Sequence, residues 1–313
     1  MLVTGGAGFI GSHLVRELVS LGYEVRVLDN LSRGSLENLG EALNEVELVL
    51  GDVRDPEVTT RAVSGVDTVV HLAALVDVEE SMRFPELYTE VNLVGTLNLV
   101  KASRRIDSFV FSSSASVYGD PVKVPIPETH PIAPRSPYAA SKAAAELYIK
   151  TYSNIYGFRY VILRLFNVYG PRQSRGYSGV VAEFIRRALR KEPPIIYGDG
   201  EQTRDFIYVS DVVKAIASSL RSKVSGVYNV GSGTPTKILD LAYTILRITG
   251  MENLRPEFRE VRPGDVKHSV ADISKANREL GFRPSTSLEA GLRMLVDFYR
   301  RLGQELPSSS EGT

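Results

Sequence analysis

Cysteine and tryptophan are missing from the 313 residues. Without thiols the chain has no disulfide staple, no thiolate metal site and no cysteine nucleophile. Histidine is scarce: His13, His71, His130 and His268 are all there are, and no two stand at a metal-ligand spacing, so no metal is expected. No apolar run approaches the roughly 20 residues that a membrane span needs. The first residues read directly as a strand, without a basic stretch leading into an apolar one. A soluble, cytoplasmic protein with no membrane partner is expected. A surplus of either charge is also lacking, since 37 Lys and Arg balance 37 Asp and Glu. No bulk basic field steers the chain onto nucleic acid. Chemistry must come from hydroxyls, charged side chains and a bound cofactor.

What is present is globular: 43% apolar and 24% charged residues over a length that suits two domains. Short apolar runs at 1–4, 24–28, 46–50, 68–73, 108–112 and 160–165 alternate with helix-period stretches at 9–19, 85–104 and 137–156. Short, nearly continuous apolar strands between helices are the mark of a sheet buried on both faces. The alternation predicts an α/β fold, a doubly wound parallel sheet with right-handed crossovers. The second half is less regular. Helices are expected at 180–191, 210–221, 235–249 and 288–302, with little periodicity between 251 and 286. The division expected is residues 1–165 as a dinucleotide-binding domain and 166–313 mostly as a smaller substrate-binding α/β cap. Strands near 205–209 and 226–230 are candidates to return to the main sheet.

The opening Leu-Val-Thr-Gly-Gly-Ala-Gly-Phe-Ile-Gly-Ser places Gly6, Gly8 and Gly11 in a G-x-G-x-x-G pattern between a strand and a helix, with Gly5 overlapping it. Glycine lets the backbone turn tightly and approach a pyrophosphate, which then sits on the free N–H groups of the helix start. Asp29 ends the second expected strand, 18 residues beyond Gly11, close to the spacing of about 20 at which a carboxylate takes the ribose hydroxyls. A carboxylate there repels a 2′-phosphate and favours NAD over NADP, although Arg33 stands nearby. Asp52, at the end of the third strand, is in place to reach the adenine amino group.

Tyr138 and Lys142 stand at i and i+4 on one expected helix face. A tyrosine ordinarily loses its proton near pH 10. A lysine cation one turn away and an oxidised nicotinamide both favour the phenolate, which makes a general base for alcohol oxidation. Upstream, Ser112-Ser113-Ser114 follows the fifth strand at its carboxyl end, where open α/β sheets hold ligands. A serine hydroxyl there can bond the reacting oxygen. His71 and His130 read as structural.

These residues resemble a family. His71-Leu72-Ala73-Ala74, Asn92–Thr96, Ser112–Gly119, the Tyr138/Lys142 pair, Arg164–Arg172, Gly198-Asp199-Gly200, Arg204-Asp205-Phe206 and Arg262-Pro263-Gly264-Asp265 are similar to stretches of the extended short-chain dehydrogenases/reductases. Within that group the chain resembles the UDP-hexose 4-epimerases, from Val3 to about Arg293. The resemblance implies a Rossmann domain, NAD as cofactor, a UDP-sugar substrate and a homodimer. It implies Ser114, Tyr138 and Lys142 as catalytic residues. Gly5, Gly8, Phe9, Ile10, Gly11, Asp29, Asn30, Asp52, Val53, Leu72, Ala73, Asn92, Tyr138 and Lys142 would hold the cofactor. Ser114, Tyr138, Asn167, Tyr197, Arg204, Arg262, Asp265 and Ser269 would line the nucleotide-sugar site. Guanidinium forks suit a diphosphate, and Tyr197 suits a uracil ring.

The implied reaction oxidises the sugar at C4, lets the 4-keto sugar turn, and reduces it on the opposite face. Related 4,6-dehydratases carry an Asp-Glu pair where this chain has Ala115-Ser116, and the decarboxylases carry a glutamate there. Val76 stands where some members have a lysine. Ser269 stands where galactose-specific members have a tyrosine, so a small residue there resembles members that accept N-acetylhexosamines. Other readings are a different NAD-dependent nucleotide-sugar enzyme, such as a 4,6-dehydratase or UDP-glucuronate epimerase, and a non-catalytic NAD-binding regulator. Leu87, Val91, Leu97 and Leu147 fit either the dimer helices of relatives or packing on the sheet.

Overall fold

The computed structural model describes residues 1–173, 179–261 and 266–305. In chain order, β1 (Leu2–Thr4), α1 (Phe9–Ser20), β2 (Val25–Asp29), β3 (Val46–Leu50), α2 (Pro56–Val63) and β4 (Thr68–His71) begin the fold. Two short helices follow, α3 (Val78–Arg83) and α4 (Pro85–Tyr88), then a π-helical turn at Thr89–Val94 and α5 (Gly95–Ala102). Next come β5 (Ser108–Ser114), a 3₁₀ turn at Ala115–Tyr118, α6 (Pro137–Tyr156), β6 (Arg159–Leu165) and β7 (Asn167–Tyr169). The second half runs α7 (Val180–Leu189), β8 (Ile195–Tyr197), β9 (Thr203–Tyr208), α8 (Val209–Arg221), β10 (Gly226–Val230), β11 (Pro235–Lys237), α9 (Ile238–Thr249), β12 (Glu257–Arg259), β13 (His268–Ser269), α10 (Ser274–Leu280) and α11 (Leu288–Glu305).

Seven parallel strands form the main sheet in the order β10-β6-β5-β4-β1-β2-β3. The central strands are apolar on both faces because both are covered. One face packs Leu14, Val15 and Leu18 of α1, Val212 and Ile216 of α8, and Ala276 and Leu280 of α10. The other packs Ala62 of α2, Leu99 of α5, and Ala145 and Ile149 of α6. This is the doubly wound Rossmann arrangement expected. The order reverses beside β1, so the carboxyl ends of β1, β2 and β4 open a crevice.

A second, smaller sheet has the order β11-β9-β13, with β7 also paired to β9. Its core is built on Phe184 and Ile185 of α7, Leu241 and Ile245 of α9, and Leu292 and Leu295 of α11. Of the two segments expected near 205–230, Gly226–Val230 adds to the main sheet beside β6, whereas Thr203–Tyr208 lies in the second sheet. The stretch expected as one helix over 235–249 starts as a strand, because Pro235–Lys237 pairs antiparallel with Thr203–Asp205 before α9 begins. The stretch expected as one helix over 85–104 is broken into three.

Candidate active site

Gly5 takes φ +68°, a left-handed conformation, and a Cβ on it would lie 2.8 Å from the Ala73 amide nitrogen. A Cβ on Gly11 would overlap the Gly5 carbonyl. Gly8 differs: its Cβ would meet only that carbonyl, at 3.2 Å, and otherwise enter open space. No side chain caps α1, and its first internal bond runs from Ser12 N–H to Gly8 O at 3.0 Å. The N–H groups of Phe9, Ile10 and Gly11 therefore point out of the helix end, an anion site beside a glycine with nothing in front of it. Phe9 and Ile10 turn their side chains into the second core, while His13 Nε2 lies 3.1 Å from Pro171 O.

Asp29 is buried at the end of β2, and its two oxygens accept Ala7 N–H (2.9 Å) and Leu31 N–H (2.8 Å). Each oxygen keeps a lone pair for a ribose hydroxyl. Leu31 adopts φ +58° to reach this bond, a strain of the kind found at ligand sites. Asn30 donates to Asp52 at 2.8 Å. Asp52 also accepts from Arg54 Nη2 at 2.8 Å, and that bond leads in holding its carboxyl down to about 2. Val53 lies against Gly95, whose Cβ would meet Val53 Cγ2 at 2.6 Å. Arg33, the residue that stood against a clear NAD preference, is held by Glu80 at 2.6 Å. Glycine loop, Asp29 and occupied Arg33 together fit NAD.

Leu72 N–H and Ala73 N–H bond Thr4 O (3.1 Å) and Thr4 Oγ1 (3.2 Å), tying the end of β4 to the glycine loop. His71 lies between Thr4 Oγ1 (2.7 Å) and Thr96 Oγ1 (2.9 Å). Thr96 gives its one proton to Asn92 O, so it accepts from Nε2–H, and Nδ1 accepts from Thr4. Burial pushes the imidazole down to about 3, which matches a neutral, structural ring. Asn92 is buried too: its amide accepts from Leu75 N–H (2.9 Å) and donates to Leu75 O (2.9 Å) and Ser141 Oγ (3.1 Å). Ser141 donates in turn to Tyr138 O at 2.8 Å, so Asn92 ties the loop after β4 to α6.

α6 starts where Ser136 Oγ accepts Ala139 N–H and Pro137 presets the first turn, and it ends at Gly157 in the left-handed region. Tyr138 is buried beside Leu75, and its ring stands edge-on to Tyr88 with centroids 6.4 Å apart. Lys142 donates to Ser112 O at 2.8 Å and lies 4.7 Å over the Phe111 ring. Burial pulls its ammonium down to about 7, opposed by the Glu146 charge. Ser114 closes β5, and its Oγ accepts Ser116 N–H (3.2 Å) and Ser116 Oγ–H (2.9 Å). α6 packs against β5 and the 3₁₀ turn, which brings the tyrosine, the lysine and the serine strand to one end of the sheet.

On the second sheet, Asn167 donates to Asp205 O at 3.0 Å. Arg204 stands in register with Ser269 on β13, so Asn167, Arg204 and Ser269 share three neighbouring strands. Tyr197 ends β8, and its carbonyl accepts from Gln202 Nε2 at 2.7 Å. Arg262 and Asp265 lie outside the described residues.

The family described as GDP-mannose 4,6 dehydratase matches residues 2–295. The chain belongs to that family. A UDP-glucose 4-epimerase of Thermotoga maritima, solved with UDP-glucose, is 41% identical, with 96% of this chain and 98% of that one covered and a TM-score of 0.92. A UDP-N-acetylglucosamine 4-epimerase of Methanobrevibacter ruminantium, solved with UDP-N-acetylmuramic acid, is 40% identical over 96% and 98%, with a TM-score of 0.92. A UDP-glucose 4-epimerase of Thermus thermophilus, solved with NAD, is 41% identical over 96% and 98%, with a TM-score of 0.87. This chain is thus an enzyme of the NAD-dependent extended short-chain dehydrogenases/reductases, of UDP-glucose 4-epimerase type.

Sequence reading missed the side chains that brace this site. Glu146, one turn beyond Lys142, is fully buried and accepts from Ser113 Oγ (2.6 Å) and from Arg164 Nε (2.9 Å) and Nη2 (2.7 Å). Arg164 lies over the Tyr118 ring, whose hydroxyl donates to Asn229 Oδ1 at 2.6 Å. Asp205 accepts from Ser232 N–H and Oγ–H, Gly233 N–H and Ala271 N–H, which locks β9 to the end of β10. Tyr118, Arg164 and Asp205 stand in stretches that carry the family resemblance, and the i+4 spacing from Lys142 was the signal for Glu146. Among the described residues no helix is long and apolar enough to cross a membrane.

Proposed function

We propose that this chain interconverts UDP-hexoses at C4 through a transient 4-keto sugar. The observation that carries this reading is local. Lys142 bonds Ser112 O near the end of β5, Tyr138 stands one turn before it on α6, and the turn following Ser114 opens with Ala115 and Ser116. A dehydratase needs a carboxylate acid and base at that turn to eliminate water; an epimerase does not. The non-catalytic reading is disfavoured because both members of the pair are present and buried.

In this mechanism Tyr138 takes the proton of the sugar 4-hydroxyl as general base and returns it in the reverse half-reaction. Lys142 stabilises the phenolate by charge. The Ser114 hydroxyl bonds the same sugar oxygen. NAD, held by the glycine loop, the start of α1 and Asp29, would supply the hydride acceptor and donor for C4. Arg204, Asn167 and Tyr197, with Arg262 and Asp265, grip the UDP, so the hexose can turn while the nucleotide stays fixed. Binding strength placed on the nucleotide, away from the reacting carbon, permits that. The small side chain of Ser269 supports acceptance of UDP-GlcNAc and UDP-GalNAc alongside UDP-Glc and UDP-Gal. A cytoplasmic homodimer belongs to the same reading, supported by exposed Leu147 and Ile155 on α6 and Val94 beside α5.

The test is incubation with UDP-Gal, UDP-GalNAc and UDP-glucuronate without added NAD, followed by product separation. The C4 epimers of the first two are expected. A 4-keto-6-deoxy or pentose product would overturn the assignment.

A further inference from the structure

Arg33 follows β2 and Glu80 lies in α3, yet one Arg33 nitrogen sits 2.6 and 2.7 Å from the two Glu80 carboxylate oxygens. The sheet order places β1 between β2 and β4. The turn after β2 and the helix after β4 therefore stand on opposite sides of the glycine loop. With neighbouring strands about 4.8 Å apart, a link between them bridges roughly 10 Å across the carboxyl end of β1. That end is where the uncapped start of α1 opens.

Both ends of the link are anchored. On the Arg33 side, a Cβ on Gly34 would lie 2.7 Å from Ala7 O, and Ser35 N–H (3.1 Å) and Asn38 Nδ2 (2.9 Å) both donate to Ala7 O. On the Glu80 side, its N–H bonds Asp77 Oδ1 at 2.8 Å, and its carboxylate accepts the Tyr88 hydroxyl at 2.9 Å. Tyr88 in turn accepts Asp77 N–H at 3.0 Å and presents its ring to Tyr138. The ionic groups themselves are part exposed. An exposed pair adds little to folding stability, so its placement across the groove calls for another role.

We propose that Arg33 and Glu80 form a strap over the dinucleotide groove that slows departure of bound NAD. Epimerisation as proposed above requires the same cofactor molecule through both half-reactions, and the strap meets that need. The inference rests on NAD as the resident cofactor and is independent of which sugar is turned over.

The test measures exchange of bound, isotopically labelled NAD against excess unlabelled NAD in the purified holoprotein. Wild type, Arg33→Gln, Glu80→Gln and the double variant are compared. Each single variant should exchange roughly fivefold faster, as expected for one surface ion pair. The double variant should be no faster than either single one, the non-additivity of a shared contact. Raising salt should speed exchange more in wild type than in the variants, which keep only the pyrophosphate's own charge contacts. Glu80→Gln exchanging within about twofold of wild type, or more slowly, would overturn the strap, as would additive effects. Because the readout is nucleotide release, loss of the sugar assignment would not touch it.

Discussion

A phenol that has to lose its proton near neutral pH depends on what surrounds it. Tyr138→Phe keeps the ring contact with Tyr88 and removes only the acid–base group, so NAD should still bind while turnover of UDP-Gal falls by about 100- to 10,000-fold. Steady-state kinetics beside a bound-nucleotide assay checks both halves. Lys142 carries a pH signature. Its pKa drops from 10.5 to about 7 because burial penalises the ammonium. Between those values the unfolded chain binds the extra proton, so the contribution of Lys142 to stability rises with pH across that window. Below about 7 the buried charge is present at its full penalty. In the cofactor-free protein, the stability advantage of Lys142→Met over wild type should shrink between about pH 6 and about pH 10, as read by urea unfolding. Ser269 tests substrate breadth. Ser269→Tyr should abolish turnover of UDP-GalNAc and spare UDP-Gal; unchanged use of the acetylated sugar places the wall elsewhere.

At the scale of the element, the glycine loop separates folding from binding. Gly11→Ala drives a Cβ into the Gly5 carbonyl and should lower both melting temperature and NAD affinity. Gly8→Ala meets no comparable obstacle in the protein, so it should fold normally and lose about tenfold or more in NAD affinity, since its methyl stands where the pyrophosphate approaches. Calorimetry with and without NAD distinguishes them. The same loop was legible in the sequence because its residues are neighbours in the chain. α6 was legible to both ends, since Ser136, Pro137 and Gly157 are local stop and start signals. The stretch at 85–104 was not. Its periodicity reads as one helix, but the Asn92 amide pulls Leu75 and Ser141 together and the backbone loosens to a π turn around it. Between 251 and 286 the short strands β12 and β13 exist only through β8 and β9, so no pattern of their own betrays them. Glu146 and Arg164, or Arg33 and Glu80, belong to the same class: the partners are legible only once the chain is folded.

At the scale of the molecule, the proposed homodimer would bury an unusually apolar outer face of α6. Leu147 and Ile155 are 60% and 64% exposed two turns apart. Ile155→Asp should give a monomer by light scattering while leaving the cofactor groove, on the far side of the same helix, able to hold NAD. The path of the chain has a consequence of another sort. It leaves the main sheet after β6, lays down β7 and β9 of the second sheet, comes back as β10, and then adds β11 and β13, with α8 packed on α1 and α10 on β10. No single peptide bond divides the two halves. A gene truncated after Leu165 would bare the outer edge of β6 and the greasy flank of α1 at once. Anyone wishing to borrow the nucleotide-holding half for another scaffold would have to take the tail along with it.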